Sequence, residues 1–349
     1  MCASGRRVRG KQPAFVLFRS ASNHYDSAGV SVCRGHEPGH GFDIWSRPLS
    51  RFLEATIIAN PSSGRAKRHG LLATLRNRLM EAGMSVRTEL TRHAGHARQL
   101  ARAASERRQG LVVVVGGDGT IREAANGVIG TSTPLLIVPS GTENILAKYL
   151  GIRANPDQLI DIVEGGVLFE MDAIQRGDEH FLLVAGIGFD AEVVRLLSSG
   201  RNGHITHSSY FWPIWRTFWS YRHPQVHVEA DGATVFEGEG MVFVGNVPRY
   251  AIGLRLLDSA NSADGLLDLC VFPCSARFTL VRHALAALRR SHVTGGRAIY
   301  RQARRVSVRS ETEVSVEMDG DLSSPLPASF SISPRSVRLL VAADWHQPR

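Results

Sequence analysis

Leu111-Val-Val-Val-Val115 runs directly into Gly116-Gly-Asp-Gly-Thr120, and the fold is read outward from these ten residues. An unbroken apolar run bounded by a turn signal reads as a strand buried on both faces. The glycines read as a tight turn, and the spacing beyond them predicts a helix over 121–129. In an open α/β sheet such a turn lies at the carboxyl edge of the strands, where ligands bind. Glycines let backbone N–H groups approach phosphate oxygens with no Cβ in the way. The following helix N-terminus adds partial positive charge. Asp118 would be repelled by phosphate unless a divalent cation lay between them, which suggests Mg²⁺ nearby. The plainer alternative, a turn that only links strand to helix, stays open on this stretch alone.

Around the central strand the pattern alternates. Ala55–Ala59 reads as a strand, and residues 69–82 as a helix with Leu71, Leu72, Leu75, Leu79 and Met80 on one face. Val86–Leu90 reads as a strand and 96–108 as a basic helix; Leu135–Val138 is a strand and 143–150 a helix ending at Gly151. This alternation predicts a parallel sheet covered on both faces. After about residue 168 the texture changes to short β-rich runs, at 168–175, 180–187, 225–230, 240–246, 266–272, 304–309, 313–318, 328–332 and 336–341. Asp231-Gly232, Asp264-Gly265 and Asp319-Gly320 supply turn signals between them. Helices at about 207–221 and 276–290 interrupt what reads as a second, β-rich domain, a sandwich or a barrel. Residues 1–50 mix Gly, Ser, His and Arg without periodicity and read as a disordered or poorly packed extension. A first domain is expected over 51–167 and the β-rich one over 168–325.

Composition agrees with this layout. At 349 residues the chain exceeds one ordinary domain. With 43% hydrophobic and 21% charged residues it is neither wholly disordered nor fibrous. No apolar run approaches the ~20 residues that span a bilayer, so no transmembrane segment is expected. The formal charge of +9 favours anionic partners: nucleotides, nucleic acid or an anionic membrane face. No RNA- or DNA-binding motif accompanies the charge, so nucleic acid is not an expected partner. Cys2, Cys33, Cys270 and Cys274 lack zinc spacing, as do His204, His207 and His223. The cysteine usage fits a reducing compartment. Ala14–Phe18 is short for a signal-peptide core, so the expected location is cytoplasmic.

Two further loops repeat the logic of the first. Asn60-Pro61-Ser62-Ser63-Gly64 follows the first strand, and Pro139-Ser140-Gly141-Thr142-Glu143-Asn144 follows Leu135–Val138. Each brings glycine plus hydroxyl or amide donors to a strand end, and three such loops on one edge make a phosphate-binding crevice. It is neither a Walker A loop nor a G-x-G-x-x-G dinucleotide loop.

At these residues the chain resembles the diacylglycerol kinase catalytic-domain family, soluble bacterial lipid kinases related to sphingosine kinases. The resemblance rests on Asn60-Pro-x-Ser-Gly64, Thr91 with Gly95-His-Ala97, Gly116-Gly-Asp-Gly-Thr120 with Glu123 and Asn126-Gly127, and Pro139-x-Gly-Thr-x-Asn144. It continues through Gly186-x-Gly-x-Asp190, Asp264-Gly265-x-x-Asp268 and Asp319-Gly-Asp321. The resemblance implies an N-terminal phosphofructokinase-like α/β domain, then a C-terminal β-sandwich, with strands of 326–349 returning to the first domain. It implies transfer of the ATP γ-phosphoryl group to a lipid hydroxyl at a membrane surface. By position, Asn60, Pro61, Ser62, Ser63, Gly64, Thr91, Gly116, Gly117, Asp118, Gly119, Thr120, Glu123, Gly141, Thr142 and Asn144 would contact nucleotide. Mg²⁺ would sit at Asp118, and a structural Mg²⁺ would take the Asp264 carboxylate with the carbonyls of Asn261 and Leu266. The catalytic base would be Asp321, where the family commonly has Glu. Ile145 stands where the family commonly has Asp.

Residues 210–221 hold seven aromatics in twelve positions, with Trp212, Trp215 and Trp219 at helical spacing and Arg216 and Arg222 beside them. Such a helix lines an acyl-chain pocket, sits at a membrane interface, or packs on the sandwich. The expected function is an ATP- and Mg²⁺-dependent lipid kinase, peripherally membrane-associated, with the lipid unspecified and a homodimer left open. The alternatives are an NAD kinase, which shares Gly-Gly-Asp-Gly-Thr, and a catalytically impaired nucleotide- or lipid-binding regulator.

Overall fold

The computed structural model describes residues 52–63, 65–107, 110–199, 211–250 and 253–348. The expected extension over 1–50, Gly64, His204, His207, Tyr210 and the Ala251-Ile252 pair lie outside the described residues. In chain order the first elements are β1 (Glu54–Ala59), α1 (Arg65–Glu81), β2 (Ser85–Leu90), α2 (His96–Ser105), β3 (Gly110–Gly116), α3 (Asp118–Val128) and β4 (Leu135–Pro139). Then come α4 (Ile145–Tyr149), α5 (Pro156–Gly165), β5 (Val167–Met171), β6 (Ile174–Arg176), β7 (Glu179–Phe181), β8 (Val184–Ile187), α6 (Phe189–Ser199) and α7 (Phe211–Ser220). The remainder are β9 (Gln225–Ala230), β10 (Ala233–Gly245), β11 (Leu267–Pro273), α8 (Arg277–Leu288), β12 (Ile299–Ala303), β13 (Arg305–Arg309), β14 (Val316–Met318), β15 (Asp321–Ser323), β16 (Ala328–Ile332) and β17 (Val337–Val341).

The first sheet has the order β2-β1-β3-β4-β17-β5, parallel except for the β17–β5 pair. β3 sits inside it with Leu111–Gly116 fully buried, as a valine run sandwiched between helix layers must be. The register decides what happens at the edge. Ala59 is level with both Leu90 and Val115, and Gly116 with Pro139. Asn60, Thr91, Gly117 and Ser140 therefore leave the sheet side by side. Backbone bonds hold them there: Asn60 N–H to Val115 O at 3.0 Å, Thr91 N–H to Ala59 O at 2.9 Å, and Ser140 N–H to Gly116 O at 3.0 Å.

The second part is antiparallel and turns on β10. Its first half pairs with β9; its second half pairs with β8 and β11. Gly238 carries φ 153° between the halves, a backbone state that favours glycine, so the strand bends and serves two sheets. The leaves enclose a core that includes Phe181, Val228, Val242, Val306, Met318 and Phe330. This is the α/β-plus-β-sandwich architecture expected from the sequence. Sheet membership cuts across the boundaries expected at 168 and 326. β5 is an edge strand of the first sheet, β16 lies in the second, and β17 is threaded into the first between β4 and β5.

Asp231-Gly232 and Asp319-Gly320 form two-residue hairpins with positive φ at both positions, the chemistry a right-twisted hairpin demands. Two helices escaped the sequence reading. α5 has a legible start, since Asn155 Oδ1 accepts the Asp157 N–H at 2.9 Å with Pro156 at the first turn. α6 follows Gly188 without such a cap signal. α3 begins at Asp118, inside the glycine motif, rather than at 121.

Candidate active site

A cavity of about 1260 Å³ opens beside the carboxyl edge of the first sheet. One end is walled by Asn60–Ser63, Thr91, Gly117–Thr120 and Gly141–Glu143. The other is apolar, with Phe189, Met241, Phe243, Phe272 and Leu280 among its walls, and Asp190, Asp319 and Asp321 stand between. Gly116 and Asn144 do not reach the lining; they shape it from behind.

The three loops lock into each other. A Cβ added to Gly141 would lie 2.6 Å from the Gly117 Cα, so the two backbones abut and no other residue fits. Ser63 and Ser140 join their hydroxyls at 2.8 Å, and Asn60 Nδ2 donates to Thr120 Oγ1 at 3.0 Å. Asn144, in the left-handed region at φ 49°, clamps its own loop: its Oδ1 accepts the Gly141 N–H at 2.8 Å, and its Nδ2 donates to the Gly141 carbonyl at 2.7 Å. Glu123 Oε2 accepts the Ala97 N–H at 3.2 Å, serving the start of α2, whose cap position is Gly95. That bond ties the Thr91–Ala97 loop to α3.

Asp118 does something the sequence did not disclose. Its Oδ2 accepts the Ile145 N–H at 3.0 Å and its Oδ1 the Leu146 N–H at 3.2 Å, so it caps α4 from across the sheet edge. Burial pushes its carboxyl upward, against these two N–H groups, which pull it down. Ile145 is thus tied to Asp118 through its backbone.

Asp321 opens β15 just over the glycine turn. Its Oδ2 lies 3.0 Å from where a Gly119 Cβ would be, and it receives Arg122 Nη2 at 3.1 Å. Arg122 Nη1 also donates to the Met318 carbonyl at 3.2 Å, holding the hairpin against α3. Asp319, the other carboxylate of the turn, is taken up by backbone: its oxygens accept the N–H groups of Leu182 and Leu183, both at 2.9 Å, and of Val184 at 3.2 Å. The Asp-Gly pair is both a hairpin turn and the device that aims Asp321.

Burial pushes the Asp319 carboxyl up to about 6, with Arg122 and the Leu182 and Leu183 N–H groups pulling down. Between pH 3.8 and about 6 the folded chain keeps a proton there that the unfolded chain has lost. The neutral acid's contribution is therefore complete below pH 3.8 and lost as pH rises through about 6. The unfolding free energy of wild type minus that of Asp319→Asn is expected to fall by about 2–3 kcal/mol over this window and stay level above it. Chemical denaturation across pH measures it, and a pH-independent difference would contradict the buried, proton-holding state.

A cluster missed in sequence lies behind the hairpin. Tyr250 donates its hydroxyl to Asp190 Oδ2 and lies 3.0 Å from Glu317 Oε1, while Glu317 Oε2 accepts the Gly320 N–H at 2.7 Å. Gly186 makes room, since a Cβ there would stand 2.5 Å from Asp190 Oδ2. Burial, and for Glu317 the Asp190 charge, pushes both carboxyls up. Glu317 thereby supports the turn that carries Asp321. Asp190 was legible only as part of Gly186-x-Gly-x-Asp190; Glu317 and Tyr250 carried no spacing signal.

The turn Asn261–Leu266 lies outside the cavity lining. Asp264 Oδ1 accepts the Leu266 N–H at 3.0 Å, and Asp172 Oδ2 accepts the Gly265 N–H at 2.8 Å. Asp268 adds a buried Oδ2 without a hydrogen-bond partner. Among the described residues no three His, Cys, Asp or Glu side chains group to hold a metal ion. A carboxylate with flanking backbone carbonyls is nevertheless the all-oxygen donor set that a hard divalent cation takes, and the orphaned Asp268 oxygen marks local negative charge to be neutralised.

Comparison with known proteins gives concordant results. The diacylglycerol kinase catalytic domain matches residues 54–175, and the YegS C-terminal NAD kinase beta sandwich-like domain matches 184–341. A diacylglycerol kinase of Bacillus subtilis is 32% identical over 282 residues, covering 79% of this chain and 92% of that protein. One from Mycobacterium tuberculosis is 29% identical over 298 residues, covering 82% and 94%. A crystal structure of a diacylglycerol kinase from Bacillus anthracis superposes with a TM-score of 0.62 at 20% identity, covering 84% of this chain and 98% of that one, which speaks for the fold.

Proposed function

Since the chain belongs to the diacylglycerol kinase family and is a lipid kinase, we propose that it transfers the γ-phosphoryl group of ATP to the hydroxyl of a membrane lipid. The observation that carries this reading is the composition of one cavity: phosphate-sized glycine loops at one end, an apolar wall at the other, and Asp321 between them. The triphosphate lies against Asn60–Ser63, Gly117–Thr120 and Gly141–Thr142; the N–H groups that open α3 face it, while those of Asn60, Ser62, Ser63 and Gly141 are taken up in holding the loops. Thr91 and the loop tied by Glu123 flank the nucleotide. The lipid enters along the apolar wall, hydroxyl first. Its oxygen attacks the γ-phosphorus, the bond to the β–γ bridging oxygen breaks, ADP departs, and the hydroxyl proton passes to Asp321. Arg122 keeps Asp321 aimed into the cavity. Mg²⁺, when bound, neutralises charge on the phosphates. Diacylglycerol and sphingoid lipids are the candidate acceptors, and the reaction takes place peripherally on the cytoplasmic face of a membrane. No helix among the described residues is long and apolar enough to cross one.

The test is transfer of label from γ-labelled ATP into lipid by the purified full chain, with mixed-lipid vesicles as acceptor and products resolved by chromatography. A labelled, ATP- and Mg²⁺-dependent phospholipid is the expected product. Label in NAD, or ADP release indifferent to lipid, would overturn the reading.

A second Mg²⁺, held by the Asp264 carboxylate with the Asn261 and Leu266 carbonyls, would be structural. Mg²⁺ without nucleotide is then expected to raise the melting temperature of wild type but not of Asp264→Ala. Saturation at 100 times Kd adds about 2.7 kcal/mol. Equal stabilisation of both proteins would place the metal elsewhere.

A further inference from the structure

α8 turns an apolar stripe outward. Phe278, Val281, Leu285 and Leu288 follow each other at spacings of three, four and three, one face of a helix, and Phe278 and Leu288 are 78% and 66% exposed. The opposite face carries the packing: His283, Ala286 and Ala287 are buried, and His283 Nε2 pairs with the Pro273 carbonyl at 2.8 Å. α7 does the same beside it. Trp212, Trp215 and Trp219 are exposed on one face, Trp212 by 65%, while Thr217 is buried on the other. The Arg277 guanidinium lies 5.9 Å from the Trp219 ring centroid, joining the start of α8 to the end of α7. Ile214 and Trp215 from α7 and Leu280 and Val281 from α8 also line the cavity that holds Asp321. The exposed stripes therefore border the cavity's apolar end. An apolar patch of this extent is a binding surface rather than ordinary surface scatter.

Charge selects the occupant. Residues 211–228 and 274–310 contain no Asp or Glu, and Arg216, Arg222, Arg277, Arg282, Arg289 and Arg290 are all exposed around the two stripes. A second copy docking the same face two-fold would bring these cations together. An anionic bilayer instead offers phosphates to the arginines and a headgroup boundary to the tryptophans and aliphatic side chains. Resting on the lipid-kinase reading, we propose that α7 and α8 together form the membrane-docking surface, seating the mouth of the cavity on an anionic bilayer. The acceptor lipid then passes between the helices without its chains crossing water.

Flotation of the full chain with vesicles of phosphatidylglycerol and phosphatidylcholine tests this. The double substitution Phe278→Gln/Leu285→Gln removes two outward side chains that do not line the cavity, so its melting temperature and ATP binding are expected to match wild type. Its vesicle affinity is expected to fall at least about tenfold, and the loss to persist in high salt. Arg282→Gln/Arg289→Gln is expected to weaken binding at low salt only, and only to vesicles containing phosphatidylglycerol. Unchanged flotation of the folded Phe278→Gln/Leu285→Gln protein would overturn the proposal. So would a dimer, seen by sedimentation, that this variant dissociates while vesicle binding stays intact. The lipid-labelling assay on wild type separates the two readings. Stripe-dependent vesicle binding with no lipid phosphorylated would keep the docking surface and overturn the kinase reading. Phosphorylated lipid with vesicle binding indifferent to the variant would do the reverse.

Discussion

Asp321→Asn is expected to lower kcat by about 10²–10⁴-fold, the range a positioned general base contributes. The amide cannot take the acceptor's proton, and Arg122, 3.1 Å away in the native chain, loses its carboxylate partner. ATP affinity and fold are expected to persist. The ion pair is partly solvated, with the two side chains 16% and 36% exposed, and pairs of that kind contribute about 1 kcal/mol or less. Asp321→Glu is expected to retain most turnover: the carboxylate returns, and the extra methylene turns toward the cavity because Gly119 crowds the other side. Steady-state kinetics at saturating ATP measure both. Wild-type kcat in a folded Asp321→Asn protein would remove Asp321 from the role of base, and would point to a neighbour such as Asp190.

Asp118→Asn is expected to act through geometry. The carboxylate accepts two N–H groups of α4; an amide offers one oxygen and sets an NH₂ against the other donor. A buried donor left unpaired costs about 1–3 kcal/mol. The start of α4 is the end of the Gly141–Asn144 loop, so the loop is expected to shift against Gly117. A misplacement of about 1 Å in a positioned site costs on the order of 10²-fold in kcat/KM. Urea denaturation and kcat/KM for ATP follow the two effects. Excess Mg²⁺ is the discriminating arm. If Asp118 acts by capping, Mg²⁺ does not restore activity to Asp118→Asn; if it acts as a metal ligand, high Mg²⁺ does, and the capping account fails.

Glu317 and Tyr250 show why site residues can hide. Neither sits at a spacing that signals chemistry: Glu317 comes from β14 and Tyr250 from the loop after β10, and they meet Asp190 of α6 only in the fold. Their common environment is a product of packing. Glu123 is the opposite case: its motif was visible, and the fold adds to its place on the cavity lining a bond to the Ala97 N–H that holds a loop.

What the chain announced locally was the run of valines into Gly116-Gly-Asp-Gly, the two companion loops, and the Asp-Gly turns. Each is legible because a buried strand needs β-branched apolar residues on both faces and a turn with positive φ needs glycine or Asp. Those are constraints of neighbours in sequence. Packing alone settled the rest. Parallel register put Asn60, Thr91, Gly117 and Ser140 level, and the late strand β17 entered the first sheet beside β4. Asp118 was assigned to a helix 27 residues away. For α8, apolar residues occur around the helix, so periodicity left its orientation undecided; the buried His283–Ala287 face turned Phe278 and Leu288 to solvent. Each of these outcomes depends on which distant backbone donor or side chain arrives opposite, a quantity that sequence separation leaves open and close packing decides.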